Sequence, residues 1–175
     1  MELGSIVKAQ LQRSLGGLFP LFFCRISVII DNDNKPMQIK LIDTSVQENF
    51  ELVNRLQKET LPYDTLYNCR EGWWWVAYEN NRPCGFAGLV CSSRWTDCGY
   101  LCRSGVVREF RGRGLQKRLI RAREKMARRV GFNWLITDTT DNPPSSNSLI
   151  ALQYRLFNPS QPWAGRHSLY WRKKL

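Results

Sequence analysis

The residues whose types and spacing point most directly to chemistry are Arg111, Gly112, Arg113 and Gly114, in the middle of the chain. They follow an apolar, strand-like run that ends at Val107, and they precede a long amphipathic helical pattern. Glycines at such a junction remove Cβ atoms, so that the backbone N–H groups of the first helical turn can converge on an anion. The helix dipole and the two arginines add positive charge there. The sequence therefore predicts a phosphate-binding loop.

This loop resembles the acetyl-CoA pyrophosphate loop of the GNAT family of N-acetyltransferases, which reads Arg/Gln-x-x-Gly-x-Gly/Ala at the start of the family's third helix. Gln116 departs from that pattern, because it stands where Gly or Ala is usual. The resemblance implies six cofactor-binding residues here, which are Arg111, Gly112, Arg113, Gly114, Leu115 and Gln116.

Two further segments carry the same resemblance. Ser104-Gly105-Val106 is similar to the part of the family's fourth strand whose backbone pairs with the pantetheine arm almost like an added strand. Asn142-Pro-Pro-Ser145, directly after an apolar strand pattern, resembles the family's Asn-x-x-Ser/Ala motif. The resemblance therefore implies Ser104, Val106, Asn142 and Ser145 as further cofactor-binding residues.

The resemblance covers residues 37–175 and implies an α+β domain with the acyl-CoA N-acyltransferase fold. Its mixed, mostly antiparallel central sheet is expected to be flanked by helices and splayed between the family's fourth and fifth strands. The implied activity is direct transfer of the acetyl group from acetyl-CoA to a primary amine. A small molecule, a peptide and an aminoacyl-tRNA stay open as acceptors, as do a monomer and a homodimer.

The residue that would deprotonate the amine departs from the family pattern. Many relatives carry a glutamate on the fourth strand, but the matching positions here hold Cys102 and Arg103. Asp97 is the predicted base, acting through water, and its alternative reading is a turn aspartate. Asp138 and Asp141 are alternatives for the same role.

The residue that would protonate the leaving thiolate departs as well. Leu149 stands where the family usually has a tyrosine, seven residues after its motif asparagine. Tyr154 is the predicted substitute, Ser148 and Tyr100 are alternatives, and a buried structural tyrosine is the competing interpretation. Cys102 is either a core thiol or an acyl-accepting nucleophile, and the Val106 N–H is expected to polarise the thioester carbonyl.

The basic charge of the chain is concentrated beside the predicted loop. The formal net charge is +11, and the segment 108–129 holds eight arginines and two lysines against two glutamates. A solvated outer helix face and a nucleic-acid site both fit this pattern, so a basic nucleic-acid-binding module with little or no catalysis is the alternative function. The surface in question comprises Lys117, Arg118, Arg121, Arg123, Lys125, Arg128 and Arg129, with Arg113 and Lys117 also assigned to cofactor phosphates.

Three loops, around residues 60–70, 93–98 and 158–167, are expected to select the acceptor. Trp73, Trp74 and Trp75 alternate along a strand, so some of them are predicted to be core and the rest to line the acceptor cleft. Trp95 and Trp163 fall in loops, where they either flank the substrate or pack the loop onto the domain.

Six cysteines and one histidine, with no Cys-x-x-Cys pair, make a poor ligand set, so no metal site is predicted. Cys98 and Cys102 are predicted to lie about 13 Å apart on one strand, too far for a disulfide. Reduced, mostly buried thiols are typical of a cytoplasmic protein.

Residues 1–36 are predicted to be an N-terminal extension separate from the domain at 37–175. The apolar run at 18–30 contains Pro20 and Arg25 and is shorter than the roughly 20 residues that a membrane span requires, so none is predicted. An appended strand or hairpin and an upstream segment translated ahead of Met37 are the two main interpretations. Export is disfavoured, because no small-x-small cleavage site follows.

Hydrophobic periodicity predicts the elements that position these residues. Ser45 and Glu48 are expected to form a capping box for a first helix that ends at Leu61-Pro62, and Gly131 is expected to end the long helix. Strands are predicted at 38–42, 73–78, 84–92, 99–107, 133–138, 154–157 and 168–172, and two more helices at 114–130 and 145–152.

Overall fold

The computed structural model describes residues 37–175. Residues 1–36, predicted to form a separate extension, lie outside the described residues. The described part follows the predicted order of elements. Its strands are β1 (Gln38–Ile42), β2 (Trp73–Glu79), β3 (Arg82–Cys91), β4 (Cys98–Tyr100), β5 (Ser104–Val106), β6 (Trp134–Thr140), β7 (Arg155–Leu156) and β8 (Ser168–Lys174). Its α-helices are α1 (Gln47–Thr60), α2 (Leu115–Arg129) and α3 (Pro143–Ala151).

The central sheet has the spatial order β1-β2-β3-β4-β6-β8-β7, and β5 lies beside β3. All neighbouring strands are antiparallel except β4 and β6, which are parallel. This mixed, mostly antiparallel sheet with its helices confirms the predicted α+β fold class.

The sheet splays where β4 ends. β4 pairs with β3 on one side and with β6 on the other, and the N–H of Leu101 makes one more bond, of 2.9 Å, to the carbonyl of Ile136. Beyond that bond, β5 pairs with β3 alone among the described strands. The continuous strand predicted at 99–107 is therefore wrong: it breaks between β4 and β5, and the break opens the sheet toward β6.

The start of α1 also differs from the prediction. Val46 occupies its N-cap position, and no side chain caps it. Ser45 instead donates its backbone N–H and its hydroxyl to Asp43 Oδ1, at 2.9 and 2.7 Å. These bonds to the charged carboxylate lower the pKa of Asp43. The predicted capping box with Glu48 is therefore wrong, because Asp43 accepts the Ser45 N–H that Glu48 would have accepted.

The core lies between the sheet and the helices. Trp74 and Phe86 are fully buried and stack with their ring centroids 6.4 Å apart. Trp75 points to the opposite face of β2 and is buried there, whereas Trp73 at the start of the strand is only partly buried. Two of the three tryptophans are thus core residues, as predicted, but alternation does not separate Trp73 from Trp75, which share a face of β2.

Helix α2 packs one face on the sheet, mainly through Leu115, Leu119 and Ile120. Arg123 was predicted to lie on the outer face, but only 2% of it is exposed. It follows Leu119 by four residues and therefore shares its face. The exposed face retains six cations, which are Lys117, Arg118, Arg121, Lys125, Arg128 and Arg129.

Candidate functional site

The phosphate loop, residues 111–114, joins a short helical turn after β5 to the start of α2. Gly112 and Gly114 have φ angles of +78° and +73°, in the left-handed region that glycine adopts most readily. No atom lies within 4 Å of a Cβ built on either glycine, so backbone conformation, not crowding, requires them. Gly114 is the N-cap of α2, and the N–H groups of the first turn have no partner within the helix. The loop therefore presents an exposed helix N-terminus suited to an anion.

The two loop arginines have different surroundings. Arg111 donates from Nε to the carbonyl of Val106 at 3.0 Å, which leaves its terminal nitrogens exposed beside the loop. Arg113 instead forms an ion pair with Glu79 at 2.8 Å and donates to the carbonyl of Glu109 at 3.2 Å. The guanidinium of Arg113 is thus engaged with β2, and what it offers an anion in the loop is its backbone.

The open edge of β5 lies next to the phosphate loop. Arg103 and Val107 are bonded to β3, through the Arg103 carbonyl and the Val107 N–H. Because backbone groups on an antiparallel strand alternate between its two sides, the N–H and C=O groups of Ser104 and Val106 point away from β3, toward the splay. This edge can pair with an extended ligand as another strand would.

A glycine holds this strand in place. A Cβ on Gly105 would lie only 1.9 Å from Oγ1 of Thr60, the last residue of α1. Only glycine therefore allows the backbone of β5 to pass the end of α1 this closely.

The first cavity, of about 640 Å³, lies at the splay between β5 and β6 and extends to α2 and α3. Four of the predicted cofactor-binding residues line it: Ser104, Gln116, Asn142 and Ser145. The Ser104 hydroxyl donates to Oε1 of Gln116 at 2.9 Å. Gln116, which stands where the family usually has Gly or Ala, therefore links α2 to β5. Asn142 caps α3 by accepting the N–H of Ser145 at 3.1 Å. The structure thus brings the separate sequence motifs together.

Three side chains form a hydrogen-bonded group at the splay that the sequence did not predict: Tyr100, Asp138 and Trp163. Asp138 Oδ1, on β6, accepts the hydroxyl of Tyr100 at 2.7 Å and Nε1 of Trp163 at 2.9 Å. Burial, followed by the nearby Asp138 charge, raises the pKa of Tyr100 well above its usual range. Tyr100 and Asp138 were named only as alternatives, because nothing in their spacing shows that a loop residue 25 positions beyond Asp138 joins them.

The second cavity, of about 670 Å³, shares three lining residues with the first. Tyr67, Tyr100 and Trp163 line both cavities. The remaining lining residues of the second cavity come from the segments 71–73, 90–94 and Ile136. Two of the three loops expected to select the acceptor therefore contribute Tyr67 and Trp163, and the third contributes Arg94.

The two predicted catalytic residues lie elsewhere, and neither lines either cavity. Asp97 is an exposed turn residue with φ of +52°, and its carbonyl accepts the N–H groups of Asn133 and Trp134. Tyr154 is buried, and its hydroxyl has no hydrogen-bond partner among residues 37–175. Asp97 precedes β4, whereas the splay begins where β4 ends, so the strand itself separates Asp97 from the site.

Arg123 and Cys102 line the deep part of the first cavity. Arg123 donates to the carbonyls of Leu119 and Gly88 at 3.2 and 3.3 Å, and no described carboxylate lies within 4 Å of it. Burial lowers the pKa of Arg123 and raises that of the Cys102 thiol to about 12. A thiol with that pKa is protonated at neutral pH, which disfavours Cys102 as a nucleophile.

The described residues show neither a metal-binding cluster nor a membrane-spanning helix. Residues 37–175 contain no cluster of three or more histidine, cysteine or acidic side chains arranged for a metal ion. None of the helices in this part of the chain combines the length and the apolar character that a membrane crossing requires.

The chain matches the model of the acetyltransferase (GNAT) family over residues 42–149, more than half of its length. No curated protein sequence matches it. Similar solved structures include an IAA acetyltransferase from Bacillus cereus, at 14% identity and a TM-score of 0.62, covering 80% of this chain and 100% of that one. A Bacillus subtilis acetyltransferase in complex with CoA has 11% identity and a TM-score of 0.63, covering 80% and 99%.

A third similar structure is the ribosomal-protein-S18-alanine N-acetyltransferase of Escherichia coli, at 12% identity and a TM-score of 0.63, covering 79% of this chain and 94% of that one. At these identities the structures establish the fold, and the family model extends from β1 through the phosphate loop to α3. The chain therefore belongs to the GNAT family of acetyltransferases.

Proposed function

We propose that this protein is an acetyl-CoA-dependent N-acetyltransferase that moves the acetyl group directly onto a primary amine. The observation that carries the proposal is the hydroxyl of Tyr100, a residue that lines both cavities, which donates to Asp138 in the lining of the first. The first cavity has the features of an acyl-CoA site, and the second is separate space for an acceptor. In a direct transfer, the reacting atoms must meet between them.

The residues around the first cavity fit acetyl-CoA, whose bound form would supply an acetyl thioester for attack by the amine. The backbone of the phosphate loop and the N-terminus of α2 suit its pyrophosphate. The open edge at Ser104 and Val106 suits the amide groups of its pantetheine arm. Gln116, Asn142 and Ser145 add polar side chains along the same wall.

Asp138 and Tyr100 are assigned the proton transfers. An alkylammonium has a pKa near 10 and must first lose a proton, which Asp138 accepts directly or through one water. As the amine nitrogen bonds to the carbonyl carbon and the carbon–sulfur bond breaks, Tyr100 gives its proton to the departing sulfur. Asp138 then reprotonates Tyr100 through their hydrogen bond, and the surplus proton on the new amide nitrogen leaves to water. The N–H of Val106 is available to the carbonyl oxygen.

Replacement of the two tyrosines tests these roles. Tyr100→Phe is expected to lower kcat about a hundredfold, since it removes a general acid, and to leave the calorimetric Kd for CoA within about threefold. Tyr154→Phe is the matched control, because it removes a hydroxyl that lies outside both cavities. Thiol release from acetyl-CoA is followed with a panel of primary amines.

The results distinguish the two tyrosines as the general acid, and cofactor binding tests the proposed function itself. Loss of turnover in Tyr154→Phe, with Tyr100→Phe active, would move the acid role to Tyr154. Absence of calorimetric heat with both CoA and acetyl-CoA would overturn the proposed function as a whole.

The exposed face of α2 supports a second candidate function, binding of nucleic acid. The single acidic residue of the helix, Glu124, is buried and bonded to Lys173 at 2.8 Å. Arg128 also lies 4.0 Å from Glu124, and the other five exposed cations of α2 are not balanced by an acid of the helix. This function predicts RNA binding that weakens at least about tenfold when salt rises from about 50 to about 200 mM. Arg121→Glu should weaken it and Gly114→Glu should not.

A cytoplasmic location is part of the proposal. Residues 37–175 contain five cysteines, all free, and four of them are buried. Free thiols of this kind suit a reducing compartment.

A further inference from the structure

We infer that the acceptor is a primary amine attached through a short chain to a planar aromatic group. The inference rests on the proposed function and specifies the substrate class of its second cavity. The shared chemistry is a cationic amine next to a ring, and its source is either a free arylalkylamine or a peptide with an aromatic N-terminal residue.

Four aromatic residues from separate segments line the second cavity: Tyr67, Trp73, Tyr100 and Trp163. They are fixed before any ligand arrives. Tyr100 and Trp163 meet edge to face, with centroids 6.5 Å apart, and both are hydrogen-bonded to Asp138. Trp73 packs edge-on against Phe132 at 6.1 Å, and Tyr67 packs against the buried Trp74 at 5.9 Å. Rings held in this way can stack on another ring without an ordering cost.

The charges around the second cavity favour a cation at the reacting end. Glu71 and Arg94 are its two charged lining residues, so they cancel, and Asp138, which lines the first cavity and accepts hydrogen bonds from Tyr100 and Trp163, adds a negative charge close by. An acceptor amine beside Tyr100 and Trp163 is thus attracted by the Asp138 charge and by the aromatic rings.

The same charges argue against other acceptor classes. The chain carries a net charge of +11, yet Arg94 is the only cation among the described residues that line this cavity. A site for a phosphate-bearing acceptor would draw on that excess. A polyamine would require several carboxylates, whereas Glu71 is the single one in the lining. Valine, isoleucine and aromatic surfaces instead suit an apolar ring.

An acceptor panel tests the inference. Steady-state KM values are measured for 2-phenylethylamine, 2-cyclohexylethylamine, ethylamine and spermidine, and for the tripeptide amides Phe-Gly-Gly and Ala-Gly-Gly. The aromatic member of each arm is expected to have a KM at least about tenfold below that of its small counterpart. 2-Phenylethylamine should also be a better acceptor than its saturated analogue, because only a planar ring stacks. The arm with the lower KM identifies the source.

Variants of two tryptophans locate the effect. Trp73→Ala should raise the KM for 2-phenylethylamine at least about tenfold and leave the KM for acetyl-CoA unchanged, and Trp73→Phe should restore most of the loss. Trp95→Ala is the matched control, because Trp95 is also partly buried but packs against Trp134 and Phe157, outside the cavity. Equal effects of Trp73→Ala and Trp95→Ala would contradict the inference.

The outcomes separate the acceptor class from the activity. If acetyl-CoA binds and ethylamine, spermidine or the Ala-Gly-Gly amide is acetylated at the lowest KM, the aromatic class is wrong and the proposed function stands. If acetyl-CoA does not bind, the proposed function fails, and titration of the intrinsic tryptophan fluorescence with 2-phenylethylamine still decides the pocket. Saturable quenching that Trp73→Ala abolishes supports an aromatic amine site, and absence of quenching overturns it.

Discussion

The phosphate loop and the second cavity both lie near the splay of the sheet, but they are formed by different parts of the chain. The loop is a short contiguous segment, residues 111–114, whose main contribution is backbone N–H groups presented by glycines with positive φ. The second cavity is lined by side chains between Tyr67 and Trp163, brought together only by the fold. The loop should therefore be sensitive to backbone changes, and the cavity to loss of individual side chains.

The largest effect is expected from a carboxylate in the phosphate loop. Gly114→Glu places a side chain at φ +73° and a negative charge beside the bound pyrophosphate. The calorimetric affinity for CoA should fall at least about a hundredfold, equivalent to about 2.7 kcal/mol. Gly131→Glu is the matched control, since Gly131 has φ +86° and equally open surroundings at the other end of α2. If both variants lose affinity alike, helix strain and not the anion site explains the effect.

At Trp163, which lines both cavities, removal of one hydrogen bond should slow turnover much more than it weakens cofactor binding. Trp163→Phe keeps a ring but loses the donor to Asp138, which lies at 2.9 Å. A bond to a charged group contributes about 1.5–3 kcal/mol, so kcat should fall about tenfold or more. The Kd for CoA should stay within about threefold, because the aromatic ring at this position is kept. Trp95→Phe is expected to resemble wild type, and a changed Kd for CoA in Trp163→Phe would show that the two sides are not separable.

The same contrast explains what could be predicted from the sequence. Residues 111–116 keep their spacing and their strand-to-helix context, so a phosphate loop could be predicted from them, and the structure brings Ser104, Gln116, Asn142 and Ser145 together along the first cavity. The ion pair of Arg113 could not be predicted from the sequence, because its partner Glu79 lies 34 positions away, on β2.

The hydrogen bond between Tyr100 and Asp138 could not be predicted from the sequence for a further reason. The parallel pairing of β4 with β6 places Tyr100 opposite Ile136, two residues before Asp138, and no local pattern in the sequence predicts which strands pair. Asp97 was favoured because it starts the strand, but proximity along a chain does not give proximity to a splay that opens at the strand's other end. Arg123 was misplaced because a charged residue was assumed to be exposed, although helical spacing from Leu119 puts it inside.

Three buried thiols, those of Cys84, Cys98 and Cys102, make the stability of the domain fall at alkaline pH. Burial raises the pKa of Cys84 and Cys98 to about 11 and that of Cys102 to about 12, from an ordinary value of 9.0. Above about pH 9 the unfolded chain releases these protons while the folded protein keeps them, so the free energy of unfolding falls as pH rises toward 11 or 12. The Tm should drop between about pH 7.5 and about pH 10. Cys102→Ala should flatten that drop, whereas a replacement of the exposed Cys91 should leave it unchanged.

The smallest effect is expected at Arg113. Its replacement tests whether the guanidinium or only the loop backbone binds the anion. If the guanidinium of Arg113 bound the pyrophosphate, Arg113→Gln would weaken CoA binding strongly. Since that group is paired with Glu79 and half exposed, the Kd should change less than about threefold and stability by less than about 1 kcal/mol. Glu79→Gln frees the Arg113 guanidinium and should leave the Kd equal or lower. A tenfold loss of affinity in Arg113→Gln that persists in the Glu79→Gln background would show that the side chain, and not only the backbone, holds the anion.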